Sequence, residues 1–196
     1  MDTSIDRSQF LRRGATGGLA LVAGSGVLAA VNGGGGAFAA ATSDTDILKV
    51  AATAELLAID FYTRAINARH FIGDERDYLK DARANERDHY AALAKAIGSG
   101  APKGLSFTYP AGSLKTRKST AKLGVALETA FVGAYLGAVT AFTSNDLKGV
   151  AAQIGASEAQ HLSVFSDIAK DDPVGISFPK ALTAAQATKA VTPFVK

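Results

Sequence analysis

Between residues 44 and 170 apolar positions recur at the three- and four-residue spacing of an α-helix, in four separate stretches. In the first, from Asp44 to about Phe71, Ile47, Leu48, Ala51, Glu55, Ile59, Tyr62 and Ile66 share one stripe. Gly73-Asp74 interrupts the pattern, and a second helix is predicted from about Glu75 to Ile97, stopped by Gly98 and Gly100. Residues 99–118 carry Pro102, Pro110 and turn glycines without a sustained period, and read as a loop of about twenty residues. A third helix, with Ser119 as its predicted N-cap, runs to Phe142. A fourth, capped by Ser144 or Asn145, runs to about Lys170, where Asp171-Asp172-Pro173 ends it because proline disfavours helix in the residue before it. No strand-like alternation interrupts this span. The predicted fold class is therefore all-α. Short, long and short connections make two antiparallel helical hairpins, with one long crossover from helix two to helix three. The bundle is assigned to residues 40–170. Residues 171–196 form an extension with one short helix, marked by the capping box Thr183 to Gln186, and Leu182, Val191 and Phe194 are placed to dock it.

Residues 1–39 are a different material. Nine of the 20 glycines fall there, including the run Gly33 to Gly36. A polar start with Arg7, Arg12 and Arg13 precedes an uncharged stretch from Gly14 to Val31, and Ala37-Phe38-Ala39 has the small-x-small form of a signal-peptidase site. This order of charge, apolar stretch and cleavage site is that of an export signal. The stretch is about long enough to span a bilayer, yet its glycines make it a poor permanent anchor. Arg7-Ser8-Gln9-Phe10-Leu11-Arg12 resembles a twin-arginine export signal with Ser8 in place of the second arginine, so the general secretory route also fits. The expected location is periplasmic or extracellular after cleavage near Ala39, with membrane contact only through the signal.

Composition narrows the chemistry. With no cysteine among 196 residues, disulfides, thiolate metal sites, iron–sulfur clusters and cysteine nucleophiles are excluded. A formal net charge of +3 is too small to argue for a nucleic-acid partner. The basic cluster Lys115, Arg117, Lys118 and Lys122 reads as a solvated loop end, and His70 as a surface or cap residue.

The informative count is the scarcity of glutamate and histidine, five and three in the whole chain. Glu86-Arg87-Asp88-His89 and Glu158-Ala159-Gln160-His161 are both Glu-x-x-His, 72 residues apart. Glu55 and Glu128, in the first helix of each hairpin, are 73 apart, and each has a tyrosine seven residues on, Tyr62 and Tyr135. The hairpins therefore read as copies related by a pseudo-twofold axis.

On a helix, positions i and i+3 share a face, so each Glu-x-x-His presents an oxygen and a nitrogen donor side by side. The glutamates also sit on apolar stripes: Glu128 with Val125, Phe131, Val132 and Tyr135, Glu86 with Leu79, Ala82, Tyr90 and Leu93, Glu158 with Ile154, Leu162 and Phe165. Taken singly, each would read as a core-edge glutamate or a satisfied histidine. Together they need protons, cations or metal to be buried, and no Lys or Arg repeats on those stripes. Two divalent ions would neutralise four carboxylates, with two imidazoles completing the set. Such donors suit iron or manganese alike.

Over residues 44–170 the chain resembles the ferritin-like superfamily of di-iron carboxylate proteins, and in particular exported bacterial ferritin-like domain proteins. The resemblance implies a ferritin-like four-helix bundle with Glu55, Glu86, His89, Glu128, Glu158 and His161 as ligands of two iron ions, with manganese as the alternative. One or both of Glu86 and Glu158 would bridge the metals. Asn85 and Ser157 stand where many members carry Asp, and Asp88 and Gln160 where many carry Arg. Tyr62 and Tyr135 are either core aromatics with bonded hydroxyls or redox neighbours of the metals. The activity implied is oxidation of Fe(II) with dioxygen or hydrogen peroxide, in protection against iron and oxidative stress. Two alternatives stand beside it: a non-enzymatic, metal-stabilised stress or desiccation protein, and manganese catalase-like peroxide disproportionation. Nothing in the pattern reads as a cage-forming surface, which leaves monomer, dimer or other homo-oligomer open.

Overall fold

The computed structural model describes residues 43–196; the export segment expected at residues 1–39 lies outside the described residues. Five α-helices follow in order: α1 Asp44–Asn67, α2 Asp74–Ile97, α3 Arg117–Ala141, α4 Asn145–Ala169 and α5 Ala184–Val191. Short 3-10 turns occupy Gly98–Gly100 and Thr192–Phe194. No strand occurs among the described residues, only an isolated bridge between Phe107 and Val195. α1 pairs with α2 and α3 with α4, and the hairpins face one another through α1 against α3 and α2 against α4.

Side chains that join the helix ends explain the long crossover. At one end the Asp44 carboxylate accepts hydrogen bonds from Thr143 N (2.8 Å), Thr143 Oγ1 (2.8 Å) and Ser144 N (3.0 Å), fastening the start of α1 to the α3–α4 turn. These bonds hold the Asp44 carboxyl below its usual range. At the other end Arg117 grips Glu75 with two donors and reaches the Ile168 carbonyl, joining the starts of α2 and α3 to the end of α4. Since α2 and α3 begin at the same end, the chain between them must return along the whole bundle. It is held on the way by Tyr90 Oη to Pro102 O (2.6 Å), Tyr109 Oη to Asp60 Oδ2 (2.9 Å) and a His70 Nε2–Leu114 O contact of 3.3 Å.

Local details differ from the sequence reading. α1 stops at Asn67, four residues early, with Arg69 in a left-handed conformation at φ 58°. α3 is capped by Thr116, not Ser119; Ser119 is its N3 partner in a reciprocal capping box. Arg117 belongs to that helix and is paired, so the basic cluster is not wholly a solvated loop end. α4 is closed by left-handed Lys170 at φ 67°, ahead of the proline.

The extension crosses α3 and α1. Leu182 N donates to Gly133 O at 2.8 Å, and a Cβ on Gly137 would lie 1.7 Å from the Leu182 carbonyl oxygen. Farther on, Thr108 N donates to Phe194 O and Lys196 N to Ser106 O, fixing the last residues to the crossover. Inside the bundle the core divides in two. Leu57, Phe61, Leu79, Phe131 and Phe165 belong to one apolar cluster. Ile47, Leu48, Leu93, Tyr135 and Ile154 belong to the other. On α2 and α4 the glutamate of interest falls between residues of these two clusters, while Glu55 and Glu128 lie at the edge of the first, next to Ala54 and Leu127.

Candidate metal centre

Each helix of the bundle delivers its glutamate to that intervening layer: Glu55 from α1, Glu86 from α2, Glu128 from α3 and Glu158 from α4. Three are fully buried and Glu55 is 2% exposed. The Glu-x-x-His spacing brings His89 and His161 to the same layer from α2 and α4. His89 Nδ1 lies 3.1 Å from Glu158 Oε1, 3.3 Å from Glu86 Oε2 and 3.6 Å from Glu55 Oε2. His161 Nδ1 lies 3.0 Å from Glu86 Oε1 and 3.2 Å from Glu158 Oε2. All six residues expected from the sequence are therefore brought together.

They form two overlapping donor sets. Glu55, Glu86, His89 and Glu158 offer one ligand atom each within 4.8 Å of one another, and so do Glu86, Glu128, Glu158 and His161. Glu86 and Glu158 belong to both sets. The 72-residue repeat is thus the sequence trace of two overlapping donor sets.

Burying four carboxylates costs several kcal/mol per uncompensated charge, and no Lys or Arg pairs with any of them among the described residues. One oxygen of each glutamate, Glu55 Oε2, Glu86 Oε1, Glu128 Oε2 and Glu158 Oε1, is buried and has no well-aligned hydrogen bond, Glu86 Oε1 and Glu158 Oε1 having only the close histidine nitrogens beside them. Tyrosines engage the opposite oxygens of the outer pair: Tyr62 Oη donates to Glu128 Oε1 at 2.6 Å, and Tyr135 Oη to Glu55 Oε1. The outer glutamates thus keep one oxygen fixed and one free. A shell of carboxylate oxygens and imidazole nitrogens with free lone pairs in an otherwise apolar core fits a divalent transition metal.

Protons take that role in the metal-free protein. Burial and the neighbouring charge of Glu86 push the Glu55 carboxyl well above the usual range, and burial with the charges of Glu158 and Glu86 does the same for Glu128. Burial alone would lower both histidines, but hydrogen bonds and charge from the glutamates outweigh it. His89 is pushed up to about 12 and His161 to about 9. The same histidines overcome the burial of Glu86 and hold it down to about 2. Four groups thus hold protons that a metal would displace, and exchanging four protons for two divalent ions leaves the charge of the layer unchanged.

Two neighbours complete the surroundings. Asn85 Nδ2 lies 3.3 Å from His161 Nε2, so the residue before Glu86 reaches across the bundle to a histidine of the layer. Tyr78 Oη donates to the His161 carbonyl at 3.1 Å and lies 3.4 Å from Tyr62 Oη. Tyr78 was not singled out by the sequence reading. Its signal was a position two helical turns before Glu86, but it has no counterpart 72 residues on, where Val150 stands. The phenols of Tyr62 and Tyr135 are pushed far up by burial and by the neighbouring charge of Glu128 and Glu55 respectively, so both remain hydrogen-bond donors.

Residues 43–171 match a family model described as a ferritin-like domain. The span takes in α1 to α4 and all six residues of the layer, and leaves out α5. No curated protein matches the chain.

Proposed function

This chain belongs to the ferritin-like domain family, and on that premise we propose that it is an exported di-iron protein that oxidises Fe(II) with dioxygen or hydrogen peroxide. The observation that carries the reading is the convergence of four buried glutamates and two histidines, with no Lys or Arg beside them among the described residues, in two donor sets sharing Glu86 and Glu158. In this reading Glu86 and Glu158, members of both donor sets, would serve both ions, Glu55 and His89 would complete one set, and Glu128 and His161 the other. Two bound irons supply a pair of one-electron couples, which matches the two-electron demand of peroxide. The chain supplies the rest. Tyr62 and Tyr135 each hold one terminal carboxylate by a single oxygen and leave the other free. The apolar clusters on either side keep water from the layer, and the partly exposed edge of His89, with 14% of its side chain accessible, is the way in for ions. Glu55, Glu128, His89 and His161 shed their protons as metal binds.

Export is supported by the layout of residues 1–39, and removal of iron together with peroxide outside the cytoplasm would limit hydroxyl-radical formation. A fold alone does not set a reaction, so turnover is the test. Fe(II) added aerobically to the full-length protein beyond two equivalents should be oxidised in repeated cycles, faster than in buffer and faster than with Glu86→Ala. Metal held without turnover would replace this reading with a structural role for the ions. Peroxide disproportionation by the manganese-loaded protein, without Fe(II) oxidation, would replace it with a catalase-like one.

A further inference from the structure

The two halves of the layer are copies in their ligands and not in what surrounds them. We infer that a metal ion is held more tightly at the Glu128–His161 position than at the Glu55–His89 position, and that Asn85 is the positioning residue responsible. The inference rests on the dinuclear reading above and adds an order to it.

His161 is braced on every side. Its Nδ1 faces Glu86 and Glu158, its Nε2 lies 3.3 Å from the Asn85 amide nitrogen, and its backbone carbonyl accepts from Tyr78. Tyr62 and Tyr78 stand edge-on to its ring at centroid distances of 5.9 and 6.3 Å, and only 4% of the side chain is exposed. His89 presents Nδ1 to three glutamates, Glu55, Glu86 and Glu158, but among the described residues no side chain bonds its Nε2 and no aromatic ring packs on its imidazole. The sequence gives the reason. Seventy-two residues after Asn85 and Tyr78 stand Ser157 and Val150. A serine hydroxyl is shorter than an asparagine amide, and valine has no donor.

The difference bears directly on metal affinity. An imidazole bound through Nδ1 carries its proton on Nε2, and a protein acceptor there fixes the ring and raises its basicity. Asn85 provides that acceptor when its amide turns its carbonyl to the ring, since both ends of an amide occupy the same reach. At His89 no protein group takes that proton among the described residues, and the ring is oriented by its glutamates alone. Outer-shell partners of this kind are worth roughly 10- to 100-fold in metal affinity.

The test reads binding, not turnover. Full-length protein loaded anaerobically with Fe(II) is mixed with a coloured Fe(II) chelator, and release is followed in time. One ion per chain should leave fast and one about 10- to 100-fold more slowly. Asn85→Ala should bring the slow phase towards the fast one, and Asn85→Asp should restore it. Ser157→Asn, which supplies the missing amide beside His89, should slow the fast phase. His89→Ala should keep the slow ion. Release of both ions in a single phase from the parent, or two phases unaltered by both Asn85→Ala and Ser157→Asn, would overturn the inference while leaving the dinuclear centre standing. A chain that takes up no Fe(II) would overturn the dinuclear reading itself.

Discussion

Glu128 illustrates how much rests on single hydrogen bonds in this layer. One of its oxygens accepts from Tyr62 and the other accepts nothing. Tyr62→Phe would leave the first oxygen unsatisfied too, in a site with no water-facing alternative. The metal-free protein should lose about 1–3 kcal/mol in urea unfolding. An unchanged midpoint would mean that the phenol only packs. The six layer residues were legible in the sequence because each obeys a repeat of 72 or 73 residues on a buried stripe. Asn85 and Tyr78 were not legible as neighbours of His161, because both break that repeat. Their contacts run across the bundle from α2 to α4, and no spacing within one helix reports such a contact.

At the scale of elements, α3 shows what periodicity reveals and what it hides. It is long and apolar enough to cross a membrane, but more than half of that window is buried in the bundle. One side packs on α4 and another is covered by the extension. The extension was expected to dock through Leu182, Val191 and Phe194. Val191 is buried, Phe194 packs on the core and the Leu182 side chain lies over Gly133, but Leu182 also presses its main chain onto Gly137, so two glycines of α3 admit it. Side-chain patterning carries no signal for backbone-to-backbone docking. Gly137→Ala should therefore displace the extension and cost about 1–3 kcal/mol, the range for forced overpacking, with faster hydrogen exchange across residues 180–196. Gly149→Ala in α4 is the matched control. Nothing lies within 4 Å of its added methyl, and it should stabilise by about 0.5–1 kcal/mol. Equal destabilisation by both variants would contradict this account of the seam. The N-cap of α3 was misplaced by three residues because Thr116 and Ser119 are both good caps and form one reciprocal box.

For the molecule as a whole, the layer couples folding to protons, and in the proposed reading to metal as well. Glu55, Glu128, His89 and His161 all hold protons more tightly in the folded chain than their usual values of 4.5 for glutamate and 6.5 for histidine. A group raised in this way contributes stability that is complete below its unfolded pKa and is lost as pH rises through the folded one. Glu86, held down to about 2, acts in the opposite sense, and its contribution is lost as pH falls below 4.5 towards 2, outside the range from pH 6 to pH 9. The metal-free protein should therefore melt at a lower temperature at pH 9 than at pH 6. Metal binding should tighten over the same interval, because it releases those protons. Differential scanning calorimetry with and without Mn(II) reads both effects, and a metal-free melting temperature that rises from pH 6 to pH 9 would contradict the assignment. The connectivity was legible at this scale from loop lengths alone. The crossover is long because α2 and α3 start at the same end, which the joint grip of Arg117 on Glu75 and Ile168 makes explicit.

The most direct test of the central claim is metal content per chain in the full-length protein, purified without added metal and measured beside Glu86→Ala and Glu158→Ala. The account predicts about two iron or manganese ions per chain, both lost in either variant because each glutamate belongs to both donor sets. A parent protein that holds no metal, even after anaerobic addition of Fe(II) or Mn(II), would contradict it and leave a bundle whose buried acids are held by protons alone.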